Sequence, residues 1–116
     1  MFKKQTKDIL IQQGDDLDVV FEVTDEAGEP VDLTTGYTAK MQARAAVSDT
    51  NPLFSFTNGA GLTLQNGSIK ATFTHETTAA FTFDKVEYDL EIVTDPGGLV
   101  TTVYRGVITL RKEITR

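Results

Sequence analysis

Glu87, Asp89 and Glu91 are three carboxylates at alternate positions, the spacing that puts acids on one face of a strand. Successive members then stand about 7 Å apart. A glycosidase needs one carboxyl held protonated opposite another that stays ionised. Three equivalent acids on a solvated strand lack that asymmetry and read as a wet face; Lys40 and Arg105 are among the candidate cross-strand partners, which the sequence alone does not identify. His75 is the only histidine, and Ser48, Ser55 and Ser68 are the only serines to pair with it. None of the three lies in a Gly-x-Ser-x-Gly turn, so no triad is legible. His75 reads instead as an exposed or capping residue. With no cysteine there is no disulfide, thiolate nucleophile or ordinary zinc site. Asp15, Asp16 and Asp18, or Asp25, Glu26 and Glu29, gather hard oxygens without the Asp-x-Asp-x-Asp-Gly spacing of a calcium loop. Phosphate-loop and dinucleotide patterns do not occur. The expectation is a protein with no catalytic residues, no metal and no cofactor.

The elements that would carry these residues are strands. Thr, Val, Ile, Phe and Tyr supply 44 of the 116 residues, the types that suit a pleated, half-buried surface. Apolar and polar residues alternate over 7–12, 17–24, 37–45 and 86–93. The inward sets are Ile9 and Ile11; Leu17, Val19, Phe21 and Val23; Tyr37, Ala39, Met41 and Ala43; and Val86, Tyr88, Leu90 and Ile92. Residues 53–57 form a short strand after a loop through 48–52. Asn66-Gly67 between 62–65 and 68–73 predicts a hairpin with a type I′ turn. Thr74 caps one helical turn, with Glu76 near its start. Asp95-Pro96-Gly97-Gly98 predicts a second hairpin, and Arg105-Gly106 splits Leu99–Tyr104 from Val107–Ile114. Eight or nine short strands in one domain point to an all-β sandwich or barrel.

The net charge of −6 is unevenly spread. Residues 1–7 hold three lysines and no acid; residues 8–39 hold nine acids and no lysine or arginine. An acidic chain repels phosphate backbones, so no nucleic-acid partner is expected. No apolar run approaches the roughly 20 residues that cross a bilayer, and Ile9-Leu10-Ile11 is too short for a signal peptide. No membrane partner is expected, and the chain reads as made in a cytoplasm. Residues 1–8 read as a flexible N-terminal arm before a single domain over 9–116. Phe2, Lys3, Lys4 and Lys7 on that arm are the candidate interaction residues, able to add to a neighbour's sheet edge. A frayed terminus is the plainer reading of the same arm. The acidic stretch and basic ends either pair between copies, giving a homo-oligomer, or serve solubility alone.

Four stretches carry a family likeness: Ile11-Gln12-Gln13-Gly14-Asp15-Asp16, residues 30–44 from Pro30 to Arg44, Tyr88-Asp89-Leu90-Glu91-Ile92, and Arg105-Gly106-Val107-Ile108-Thr109-Leu110. The chain resembles small tailed-phage and prophage structural proteins, a group similar to the N-terminal domain of the phage baseplate upper protein. That resemblance implies an antiparallel immunoglobulin-like β-sandwich of eight or nine strands. It implies a non-enzymatic tail or baseplate adaptor, located in the virion, whose partners are other virion proteins. It also implies that Gly14 and Gly36 hold turns and that Tyr88 and Leu90 sit in the core. The baseplate proteins continue into a coiled, receptor-linking region that this sequence lacks. The alternative is a carbohydrate- or cell-surface-binding sandwich module, for which Tyr37 or Tyr104 would supply the ring.

Overall fold

The computed structural model describes residues 2–45, 52–112 and 114; most of the predicted 48–52 loop lies outside them. It is all-β with one short helix. The strands are β1 (Gln5–Thr6), β2 (Ile9–Gln12), β3 (Leu17–Glu22), β4 (Tyr37–Arg44), β5 (Phe54–Asn58), β6 (Gly61–Gln65), β7 (Ser68–Phe73), β8 (Lys85–Thr94) and β9 (Val100–Arg111). The helix α1 (His75–Ala79) lies between β7 and β8. Alternation in the sequence becomes alternation of burial. Ile9, Ile11, Val19, Phe21, Val23, Ala39, Met41, Ala43, Val86, Tyr88, Leu90 and Ile92 all join one core. Tyr37 and Leu17 pack against it only half-buried. A sheet with one face covered and one face wet requires this pattern.

One sheet curls around that core in the order β1-β9-β8-β4-β5-β6-β7-β3, with β2 also on β9. Through the curl, the ring of Phe21 on β3 lies 4.9 Å from that of Tyr104 on β9 and 6.1 Å from that of Tyr88 on β8. The last strand of the sheet order therefore faces the first ones across the core.

The sheet is mixed, where the resemblance implies a purely antiparallel one. β1 and β2 run parallel to β9, and β5 runs parallel to β6. Alternation fixes which face a residue takes but carries no strand direction. After Asn58 the chain makes one tight coil, with Thr57 beside Gly61, and continues in the same direction. Gly61 has φ +104° there, and a Cβ on it would stand 2.6 Å from the Phe56 ring. This coil carries the chain from the β4 side of the sheet to the β7 side.

Two local expectations also change. β9 is one strand, not two separated at Arg105-Gly106. Its irregularity falls earlier: Leu90 pairs with Tyr104 but Glu91 with Thr102, leaving Val103 as a bulge residue. The bulge shifts the alternation, so that consecutive Val103 and Tyr104 are both buried. The Asn66-Gly67 hairpin forms, but Asn66 keeps a negative φ, so the turn is not type I′. Asn66 is instead bridged to Asp32, while the Gly67 N–H donates to the Val31 carbonyl. Tertiary pairing with residues 31–33 sets this turn's backbone.

The arm over residues 1–8 is part of the sheet from Phe2 onward. Phe2 bridges Asp25, and the Lys3 N–H donates to the Thr24 carbonyl, extending the edge of β3. From Gln5 the chain changes sides and pairs with β9. β1 and β2 keep one register against β9, Gln5 opposite Tyr104 and Ile9 opposite Ile108, so they are one strand interrupted at Lys7-Asp8. At the interruption the Asp8 carboxylate accepts from the Val107 N–H, and the Lys7 carbonyl accepts from the buried Tyr88 hydroxyl. The carbonyl lies directly on Gly106, where an added Cβ would meet it at 2.0 Å. A strand glycine marks close backbone approach here, which is why Arg105-Gly106 looks like a break in the sequence.

Candidate functional site

The outer face of β1, β9, β8 and β4 bears the residues with the most chemistry. β8 presents Glu87, Asp89 and Glu91 outward because Val86, Tyr88, Leu90 and Ile92 take the inward positions. Register sets Lys40 opposite Glu91, Gln42 opposite Asp89 and Arg44 opposite Glu87 across β4. On the other side, Arg105 of β9 stands opposite Asp89. Each acid of β8 thus has a cationic or amide residue at its own level, a cross-strand ladder of opposite charge. Arg44 Nη2 donates to Gln42 Oε1 at 2.8 Å, and Gln42 Nε2 donates to the Ser55 hydroxyl at 3.1 Å.

Two adjoining shallow hollows lie over this ladder, of about 480 and 500 Å³. Thr6, Asp89 and Arg105 line both. The first adds Asp8, Arg44, Glu87 and Glu91; the second adds Lys4 and Thr102. The surface they make is polar and carries both signs. It suits a complementary polar surface, and its four acids are interleaved with cations. Register places Lys40 and Arg105, two of the candidates the sequence offers, opposite Glu91 and Asp89; Arg44 and Gln42 belong to the ladder equally and follow only from the pairing of β4 with β8.

The remaining candidates are engaged elsewhere. Asp16 Oδ1 accepts from the His75 backbone N–H at 2.6 Å and lies 3.0 Å from His75 Nδ1. The imidazole is held above its ordinary pKa of 6.5, first by that side-chain bond and then by the charges of Asp16 and Glu76. Asp16 is held below 3.8, first by the backbone bond. Ser55 and Ser68 bond to Gln42 and Gln65, so neither is paired with the histidine; Ser48 lies outside the described residues. Asp25 Oδ1 accepts from the N–H groups of Ala27 and Glu29, which closes its loop. Among the described residues no three acids or histidines are grouped to hold a metal ion. No helix among them is long and apolar enough to cross a membrane.

The four arm residues part company. Phe2 is 7% exposed and packs edge-on against Tyr37 at 5.7 Å, so its ring is a core contact within this chain. Lys3, Lys4 and Lys7 remain exposed. The two rings named for a glycan are also occupied. Tyr104 is buried, donating its hydroxyl to the Glu22 carbonyl at 2.7 Å, and Tyr37 carries Phe2. Gly14 and Gly36 hold positive-φ turns, and Tyr88 and Leu90 are core residues. Burial lifts the Tyr88 hydroxyl well above the ordinary phenol range, with the Asp8 charge adding to it. No protein-family model and no curated protein matches the chain.

Proposed function

We propose that this chain is a non-enzymatic structural module of a tailed-phage or prophage particle, an adaptor of tail or baseplate that works by protein–protein contact. In this reading the curled sheet is an immunoglobulin-like sandwich. The single observation that supports it is the curl of the sheet, which brings β3 at one end of the strand order to face β8 and β9 across the core, as the facing layers of a sandwich would. The chain's first residues leave the edge of β3 for β9, joining the two ends of that order. The stretches that carry the family resemblance fall at positions this arrangement constrains. Gly14 and Gly36 sit in turns, Tyr88 and Leu90 in the core, and Gly106 under the arm. Lys3, Lys4 and Lys7, all exposed and with Lys4 lining one of the polar hollows, are the docking residues of the arm, and Phe2 anchors them.

Fold alone does not fix function, so the test is made on particles. Tail or baseplate genes on either side of this gene, and the chain present in purified particles by mass spectrometry, are the expected results. A chain made in producing cells but absent from their particles overturns the reading.

A further inference from the structure

We propose that the free edge of β3 binds a second copy of this chain through the segment around Lys112 and Ile114, linking copies head to tail. This rests on the assembly reading above and names its surface and its partner.

β3 ends the sheet order, with β7 on one side; on the other, Lys3 holds the Thr24 carbonyl and Tyr104 and Gln5 hold the Glu22 carbonyl, so the backbone edge is open over Asp18 and Val20. The backbone alternation says which groups that edge offers. Val23 pairs inward, its N–H donating to Gly67, whereas the Glu22 and Thr24 carbonyls point outward to Tyr104 and Lys3. By the same alternation the N–H and C=O of Asp18 and Val20 point away from β7. The outward side chains there read acid, apolar, acid: Asp18, Val20 and Glu22 are all exposed, Val20 by 48%. Edges are normally guarded by charged side chains, proline or a bulge. β3 has no proline and pairs regularly with β7; its guards, Asp18 and Glu22, carry one sign only and so admit a strand of the opposite sign.

A strand laid along such an edge satisfies it best with basic, apolar and basic residues at alternate positions. In the sequence, Lys112, Ile114 and Arg116 stand at that spacing. Ile114 is 97% exposed. In its own chain Lys112 donates to the Thr82 carbonyl at 2.8 Å and meets the exposed Asp84 at 3.7 Å, surface contacts that docking on β3 would replace. The edge of β2 is less suited, because its outward residues Leu10 and Gln12 carry no charge to select a partner. Edge and segment are different surfaces of one molecule. Their contact is therefore heterologous and builds a ring or an open chain.

Sedimentation of the full chain across protein and salt concentration tests this. The expected result is self-association that weakens as salt rises. Asp18→Lys with Glu22→Lys should abolish it, as should Lys112→Glu with Arg116→Glu. An equimolar mixture of the two reversed proteins should associate again, since each then offers what the other lacks. Val20→Pro should also give monomer with an unchanged circular-dichroism spectrum, because the Val20 N–H is outside the β7 ladder. A wild-type chain that stays monomeric, or an oligomer that survives both charge reversals, overturns the proposal. A monomeric chain found in particles overturns this interface alone; an associating chain absent from particles overturns the virion reading alone.

Discussion

Gly106 lies outside the positive-φ region, yet it admits no side chain. A methyl group there runs into the Lys7 carbonyl, the same atom that the Tyr88 hydroxyl holds. Gly106→Ala is expected to destabilise by roughly 2–3 kcal/mol, the range for overpacking a tight site. Gly28 makes the contrast: at φ +89° it has open space around it, so Gly28→Ala meets only conformational strain. Its expected cost is about 1 kcal/mol. Urea denaturation of the two variants measures both. The Asp16–His75 pair gives a pH signature at the same scale. The raised His75 pKa adds stability that is complete below 6.5 and disappears as pH rises through the folded value. The lowered Asp16 pKa adds stability that is complete above 3.8 and disappears as pH falls through the folded value. The pair therefore helps most between those two limits. Asp16→Asn should lower the melting temperature most within that window, leave little difference from wild type at lower pH, and keep a smaller loss at higher pH, where the His75 N–H still donates to the ionised carboxylate.

Among the elements, α1 is short but firmly tied down. Thr74 caps it, its hydroxyl accepting from the Thr77 N–H, as its position before Glu76 predicts. The tie to the β2–β3 turn is not legible in the sequence. Thr78, fully buried, donates its hydroxyl to the Asp15 carbonyl and accepts from the Gly14 N–H, while Gln13 Nε2 reaches the Phe81 carbonyl. A threonine in a polar run gives no sign of contacts more than sixty residues away. Thr78→Val keeps the shape and leaves both backbone groups without that partner. It should cost about 1–3 kcal/mol, read by chemical denaturation, and speed hydrogen exchange at Gly14. The strands themselves were legible because burial follows a period of two, as Ala39, Met41 and Ala43 illustrate. Directions and neighbours were not, because pairing of β1 with β9 or β5 with β6 leaves no mark on that period. The charge ladder of β8 shares this limit: Glu87, Asp89 and Glu91 declare a face, but only register supplies Arg44, Gln42, Lys40 and Arg105.

At the scale of the whole molecule, the chain's start ties the two ends of the sheet order together. Phe2 is fixed beside Tyr37, Lys3 holds β3, and Gln5–Gln12 run along β9. The lysines around Phe2 suggest a loose basic tail, and the single aromatic among them is the residue that says otherwise. Phe2→Ala is expected to cost roughly 2–4 kcal/mol, within or just under the range for truncating a buried ring. Amide exchange should then quicken at Lys3 and Lys7 and stay slow at Leu90, showing that the arm lifts while β8 holds. Equal acceleration at all three would mean that the arm and core unfold as one unit.

Gln5 and Tyr104 are partners, as are Gln12 and Arg111. On the ribosome, Gln5–Gln12 therefore wait until residues 104–111 are made before this pairing exists. Closing so distant a pairing carries a large entropy cost before any contact repays it, which makes such topologies slow to fold. Until β9 emerges, the nascent β1 and β2 lack their pairing strand, and a chaperone that shelters extended segments would find them open.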